Sequence, residues 1–124
     1  MEKAFTIISA ILFLISCGND ETKKTSVTEK TAATNSADAA KGLELVTKSD
    51  CFTCHKLTET SIGPAYADIA AKYKILDEPA MDSMVKQIIN GGAGRWGTVP
   101  MTPHPGMPKE DAQLMVHYIM SIKQ

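Results

Sequence analysis

Cys51-Phe52-Thr53-Cys54-His55 is the stretch on which the reading of this 124-residue chain turns. It follows the pattern C-x-x-C-H, the attachment site of a covalently held haem. The chemistry sets both residue types and spacing. Two thiols three positions apart can add to the two vinyl groups of one porphyrin as thioethers. His55 then sits under the iron, where an imidazole nitrogen can ligate it. Two other readings of the cysteine pair fall short. A redox dithiol of the thioredoxin kind needs a βαβ context that this chain lacks. A zinc site needs a second C-x-x-C or a paired-His motif, and none follows.

Upstream, residues 1–16 read as an export signal. Lys3 and the amino terminus give a weakly positive start offset by Glu2, and the 12 residues 4–15 form an apolar run too short to span a bilayer. The run ends in Leu14-Ile15-Ser16-Cys17, which resembles the lipobox of bacterial lipoproteins. There the cysteine is lipidated and becomes the first residue after cleavage. The competing reading is an ordinary secretory signal with an incidental cysteine; the small Ser16 stands where cleavage before Cys17 needs it. The cysteine arithmetic agrees, because an exported chain with three cysteines would otherwise carry an unpaired one. Cys17 takes lipid, Cys51 and Cys54 take haem, and none remains for a disulfide.

Residues 17–39 then change character. After the cysteine they hold Thr, Ser, Ala, Lys, Glu, Asn and Asp, with Val27 the one large apolar side chain. Such a stretch buries too little to offset its ordering entropy, so a disordered tether is expected. About 22 flexible residues have an r.m.s. reach of ~25 Å and an extended limit of ~75 Å. That reach suits a domain swinging between partners near a membrane, and suits equally a plain spacer.

Residues 40–124 form one domain, short enough that its core is marginal unless a large apolar group joins it. Apolar residues recur at three and four, which predicts an all-α fold. The first helix is expected over about 38–48, with Ala39, Leu43 and Val46 on one face. The second covers about 66–73, with Tyr66, Ile69, Ala70 and Tyr73. The third starts near Pro79, carries Met81, Met84, Val85 and Ile88, and stops at Asn90-Gly91-Gly92. The fourth starts at Pro108, with Glu110 and Asp111 in its first turn and a face of Ala112, Met115, Tyr118, Ile119 and Ile122. No segment has the period of a strand.

A six-coordinate iron needs a second axial ligand besides His55. The candidates are His104, His117 and the six methionines after the motif. Met81, Met84, Met115 and Met120 fall within helical patterns, where methionine usually fills a core. His117 lies outside the apolar stripe of the fourth helix and reads as solvated. Met101, Met107 and His104 remain, all in the Gly- and Pro-rich loop 91–107. Met107 precedes the helix-starting Pro108 and reads as packing. Met101 lies in Val99-Pro100-Met101-Thr102-Pro103, where flanking prolines restrict the backbone and pre-organise an extended loop. Met101 is the expected ligand.

The domain also resembles the small class I bacterial cytochromes c, the short high-potential electron carriers. The matching residues run through the domain: Gly42 with Leu45-Val46, then Cys51-x-x-Cys54-His55, then Ile62-Gly63-Pro64-Ala65-Tyr66. Ile88-x-Asn90-Gly91 and Gly94-x-Trp96-Gly97 follow, leading into Val99-Pro100-Met101-x-Pro103, and a last amphipathic helix carries Tyr118. The resemblance implies a cytochrome c fold of about four helices around one haem c, held by Cys51 and Cys54 with His55 and Met101 as axial ligands. It also implies that the Pro64 carbonyl accepts the other ring N–H of His55, and that Trp96 donates its indole N–H to a haem propionate. Two positions depart from the pattern. Gln87 stands where relatives often carry a basic residue near a propionate, leaving Arg95 as a substitute. His104 stands where relatives often have an asparagine near the methionine sulfur, and a titrating imidazole there would make the site pH-sensitive.

A Met–His pair leaves no open coordination position, so the iron exchanges an electron without binding substrate, and the thioether favours Fe(II). The expected function is therefore single-electron transfer by a non-enzymatic protein, lipid-anchored in the cell envelope and facing the periplasm, between redox partners. From Lys41 onward the chain has nine basic and nine acidic residues, with no basic stripe for nucleic acid. Weak docking around an apolar haem edge fits that balance better than charge steering. The alternative is a haem sensor or small peroxidase-like enzyme, which needs a labile or absent Met101 ligand and His104 as acid–base group. A third reading, a lipid-anchored interaction module without metal, predicts a colourless folded protein.

Overall fold

A computed structural model describes the backbone of residues 22–122 and side chains from residue 35 onward. Four helices appear in chain order: α1 (Thr22–Lys48), α2 (Tyr66–Tyr73), α3 (Glu78–Asn90) and α4 (Lys109–Ser121), with a 3-10 turn at Cys51–Thr53 after α1. Among the described residues there is no strand beyond one isolated bridge, between Gly92 and Met101. The all-α expectation holds.

The helix ends follow local chemistry. α3 opens on Asp77, whose side chain accepts the Ala80 N–H at 2.9 Å, and Pro79 occupies its first turn. It closes at Gly91, whose φ of 63° turns the chain into the long loop. α4 begins after Pro108, with Glu110 and Asp111 against the positive end of its dipole. α2 covers the residues its periodicity predicted.

α1 differs from expectation. It starts at Thr22, not near residue 38, so most of the stretch read as a disordered tether is helical. No Gly or Pro lies between Gly18 and Gly42, so a helix nucleated on the packed end meets no breaker as it propagates backwards. Residues 1–16 and Cys17 lie outside the described residues.

α4 is the hub of the fold, packing against α1, α2 and α3. Val46 of α1, Tyr66 of α2, Met84 and Val85 of α3, and Met115, Val116 and Ile119 of α4 form the core. Gly42 permits the close α1–α4 crossing, because a Cβ there would strike the Leu114 carbonyl and lie 2.8 Å from Tyr118 Cβ. This bundle is one wall of the site. The other is the chain running from Gly91 to Met107.

Candidate functional site

The C-terminal end of α1 delivers the motif. Asp50 adopts a left-handed conformation (φ 56°), which stops the helix and turns the chain into the 3-10 turn. The N–H groups of Cys54 and His55 both donate to Cys51 O, at 3.2 and 3.0 Å. That tight winding puts Cys51, Cys54 and His55 along the wall of one cavity. Both thiols are free and half-buried. Burial pushes the Cys51 thiol above its ordinary value of 9.0, opposed by its backbone hydrogen bond and by the Tyr66 hydroxyl within hydrogen-bonding reach.

His55 is held from several directions. Its Nδ1 lies 2.8 Å from Pro64 O. A carbonyl only accepts, so Nδ1 carries the proton and Nε2 keeps its lone pair for a metal. The loop that supplies this carbonyl is fixed by Gly63 N–H donating to Cys54 O at 2.9 Å and Tyr66 N–H donating to Lys56 O at 2.9 Å. Pro64 O thus stands against the ring nitrogen of His55 that faces away from Nε2.

The facing wall is the 91–107 loop. Gly92 and Met101 exchange both backbone hydrogen bonds at 3.0 Å, which presents Met101, partly buried, into the same cavity. His104 N–H donates to Ile89 O at 3.0 Å, and its Nδ1 lies 3.3 Å from Ile88 O, so the loop is tied back to the end of α3. Gln87 Nε2 donates to Gly92 O at 3.1 Å, which gives this departure from the family pattern a local role. Trp96 lies at the cavity edge, 39% exposed, with Lys72 Nζ 4.2 Å from its ring centroid. Lys72 also donates to Arg95 O at 3.0 Å. Arg95 in turn donates to the Tyr73 hydroxyl at 2.8 Å and to Ser83 Oγ.

The cavity between the walls measures about 990 Å³, at the upper end of the ~300–1,000 Å³ of small-molecule and cofactor sites. Core side chains such as Val46, Met84, Ile88 and Ile119 line it together with the motif and Met101. The donor set fits a covalent haem. Two thiols stand beside an imidazole with its tautomer fixed, a thioether borders the same cavity from the 91–107 loop, and most of the lining is apolar. Among the described residues no group of three or more His, Cys, Asp or Glu is placed to cage a bare ion. Arg95 and Trp96 are the polar groups at the rim suited to propionates.

Of the sequence-predicted residues, Cys51, Cys54, His55, Pro64, Trp96 and Met101 all border this cavity, while Cys17 lies outside the described residues. Met84, Met107 and Met115 border it too, so lining alone does not single out Met101. Met84 and Met115 are, however, fixed in the helical core. His117 belongs to a separate small pocket with Leu76 and Met81, half-buried where a solvated side chain was expected. Sequence reasoning missed Lys72 and Ser83, whose roles depend on contacts between distant segments. Gly63 and Tyr66 were read only as parts of the matching stretch 62–66 and, for Tyr66, of a helix face; their contacts with His55 were not.

Comparison with known proteins places this geometry. Residues 39–123 match the family model described as Cytochrome c. The chain is 40% identical over 92 residues to a cytochrome c-551 of Allochromatium vinosum, covering 74% of this chain and 97% of that protein. It is 36% identical over 84 residues to a cytochrome c-551 of Ectopseudomonas mendocina, covering 68% of this chain and all of that one. Among solved structures, wild-type Nitrosomonas europaea cytochrome c552 superposes with a TM-score of 0.60 at 34% identity, over 65% of this chain and 99% of that one.

Proposed function

The chain belongs to the cytochrome c family, an electron-transfer family, with one covalently bound haem c at the Cys51-x-x-Cys54-His55 region, and from that premise we propose a membrane-tethered single-electron carrier. In this reading His55 and Met101 are the axial ligands, Cys17 carries the lipid, and the folded domain works in the periplasm. The observation that carries it is that the motif and Met101 line one largely apolar cavity.

When bound, haem supplies a one-electron iron couple; the residues decide how that couple is used. Pro64 O holds the Nδ1 proton of His55, which strengthens Nε2 as a donor. Met101 would be the second residue to hold the iron, from a loop braced by Pro100 and Pro103 and by its pairing with Gly92, and a site held by both His55 and Met101 would have no place for substrate. The buried wall of α3 and α4 excludes water and so would limit rearrangement when the charge changes. Arg95 and Trp96, which border the cavity, would hold the propionates. Cys17 and the stretch after it hold the domain near a membrane while leaving this face free for partners.

Absorption spectra of the haem-loaded protein test the ligand set. Wild type is expected to be low-spin in both oxidation states, with the weak far-red band of sulfur bound to Fe(III), and inert to CO. Met101→Ala is expected to lose that band and bind CO when reduced. A CO-reactive wild type, or a band that survives in Met101→Ala, would remove Met101 and favour a sensor or a peroxidase-like enzyme. For the anchor, Cys17→Ala is expected to move the protein from the membrane to the soluble envelope fraction. No change in fractionation would refute lipidation at that residue.

A further inference from the structure

Tyr66 touches more of the attachment machinery than any single role in the helical core requires. It is 2% exposed at the first position of α2. Its ring lies nearly parallel to the His55 imidazole, with centroids 5.3 Å apart and planes 14° apart. Phe52, between the two cysteines, meets the Tyr66 ring edge-on at 5.7 Å, and Tyr118 of α4 does so at 6.1 Å.

One hydrogen bond from Nδ1 to Pro64 O fixes the tautomer of His55 and the direction of that edge. It leaves the ring free to swing about the Nδ1···O line, because carbonyl acceptors tolerate a broad range of angles. A second contact must therefore set the plane. Tyr66 supplies it on one face. Gly63 supports the Cε1 edge, where even a Cβ would lie 2.5 Å away. Tyr66 does not yield easily, since Phe52 and Tyr118 pin its ring in edge-on contacts of the kind aromatic pairs prefer.

We propose that Tyr66 is the positioning residue of this site: its ring sets the plane of the His55 imidazole. The inference rests on His55 being an axial ligand. The imidazole plane governs how the iron d orbitals split, and so how unpaired spin is distributed over the porphyrin. Tyr66 would thus tie the iron's electronic state to α2 and α4, away from the solvent-facing loop.

The test compares haem-loaded full-length wild type with Tyr66→Leu and Tyr66→Phe, by proton NMR of the oxidised haem methyl groups. Tyr66→Leu, which loses the flat face against the imidazole, is expected to redistribute the paramagnetically shifted methyl resonances. Tyr66→Phe, which keeps that face, is expected to retain the wild-type pattern. Wild-type methyl shifts in Tyr66→Leu overturn the inference, whatever happens to the melting temperature. Where Tyr66→Leu does not mature, Tyr118→Leu, which unpins one edge of the Tyr66 ring, is read in the same way. A wild type without a low-spin haem, or a low-spin spectrum that survives in His55→Ala, removes the ligand reading beneath the inference. Low-spin wild type with unresponsive Tyr66 variants removes this inference alone.

Discussion

Replacing Gly42 with alanine tests whether the α1–α4 crossing is as close as it looks. In an ordinary helix interior the change would help, because alanine is favoured over glycine by ~1 kcal/mol. Here the added Cβ would strike the Leu114 carbonyl oxygen and lie 2.7 Å from its carbonyl carbon and 2.8 Å from Tyr118 Cβ. Two of these three atoms are backbone and cannot rotate away. To regain ordinary contact at about 3.4 Å from that carbonyl carbon, the helices must part by at least ~0.7 Å. Parting loosens Val46, Met115 and Val116, all buried to within 1%. Overpacking typically costs ~1–3 kcal/mol, and rigid backbone on the far side puts this site at the upper end. After the propensity gain the expected net loss is ~2 kcal/mol.

Gly106→Ala is the matched control. No atom lies within 4 Å of the point a Cβ would occupy there, and its φ is not positive, so the change is expected to be neutral or to stabilise by up to ~1 kcal/mol. Thermal denaturation of the haem-loaded chains, followed by helical circular dichroism and haem absorption, separates the two. At ~4–8 °C per kcal/mol for a domain of this size, Gly42→Ala should melt ~8–16 °C below wild type. Its reduction potential should be unchanged, because Gly42 does not line the cavity. Gly42→Ala melting with Gly106→Ala, at or above wild type, would refute the close crossing.

Three further perturbations probe other elements. Asp77→Ala removes the side-chain acceptor at the start of α3, and a loss of ~1 kcal/mol is expected in urea denaturation of the haem-loaded protein. Burial raises the Tyr66 phenol above its ordinary value of 10.0, so the folded state holds its proton after the unfolded chain has begun to lose it. That contribution is fully present below about pH 10 and is lost as pH rises further, at up to ~1.4 kcal/mol per pH unit; denaturation at stepped alkaline pH should show a shallower decline in Tyr66→Phe. Lys72→Ala removes both the contact over Trp96 and the bond to Arg95 O, and faster amide exchange confined to residues 92–101 is the expected result, against no change if that clamp is idle.

The helices were legible because each carries its signals locally. The stripe Tyr66, Ile69, Ala70 and Tyr73 and the caps around Pro79, Gly91 and Pro108 are written in consecutive residues, and α2, α3 and α4 follow them closely. The start of α1 was not legible: a polar run reads as disorder by composition, yet it contains no residue that ends a helix. That the motif residues Cys51, Cys54 and His55 and Met101 would line one cavity was legible because ligand chemistry restricts residue type. The contacts of Lys72, Ser83 and Gly63 were not, since nothing in their sequence neighbourhood states that Lys72 lies over Trp96 or that Gly63 backs the His55 ring. The burial of His117 was hidden for the same reason, since it comes from Leu76 and Met81 on other segments.

The two walls of the cavity are held by a different balance of forces, and this bears on where the site can be tuned. On the motif side the hydrogen bonds around His55 are backed by packing: Tyr66 between Phe52 and Tyr118, and Val46 against α4. Such packing is non-directional, shielded from salt and lost only when the core opens. On the Met101 side the supports are hydrogen bonds: the Gly92–Met101 pair, His104 to the end of α3, and the exposed side chains of Lys72, Arg95 and Gln87. Water competes for the bonds of those exposed side chains, so each contributes little and opens at low cost. If Met101 is the ligand proposed above, substitutions on the loop should shift the sulfur's hold on iron without unfolding the domain, whereas substitutions behind His55 should change stability and electronic state together. A family that keeps the motif side fixed and varies the loop could set its potential at little cost to its fold.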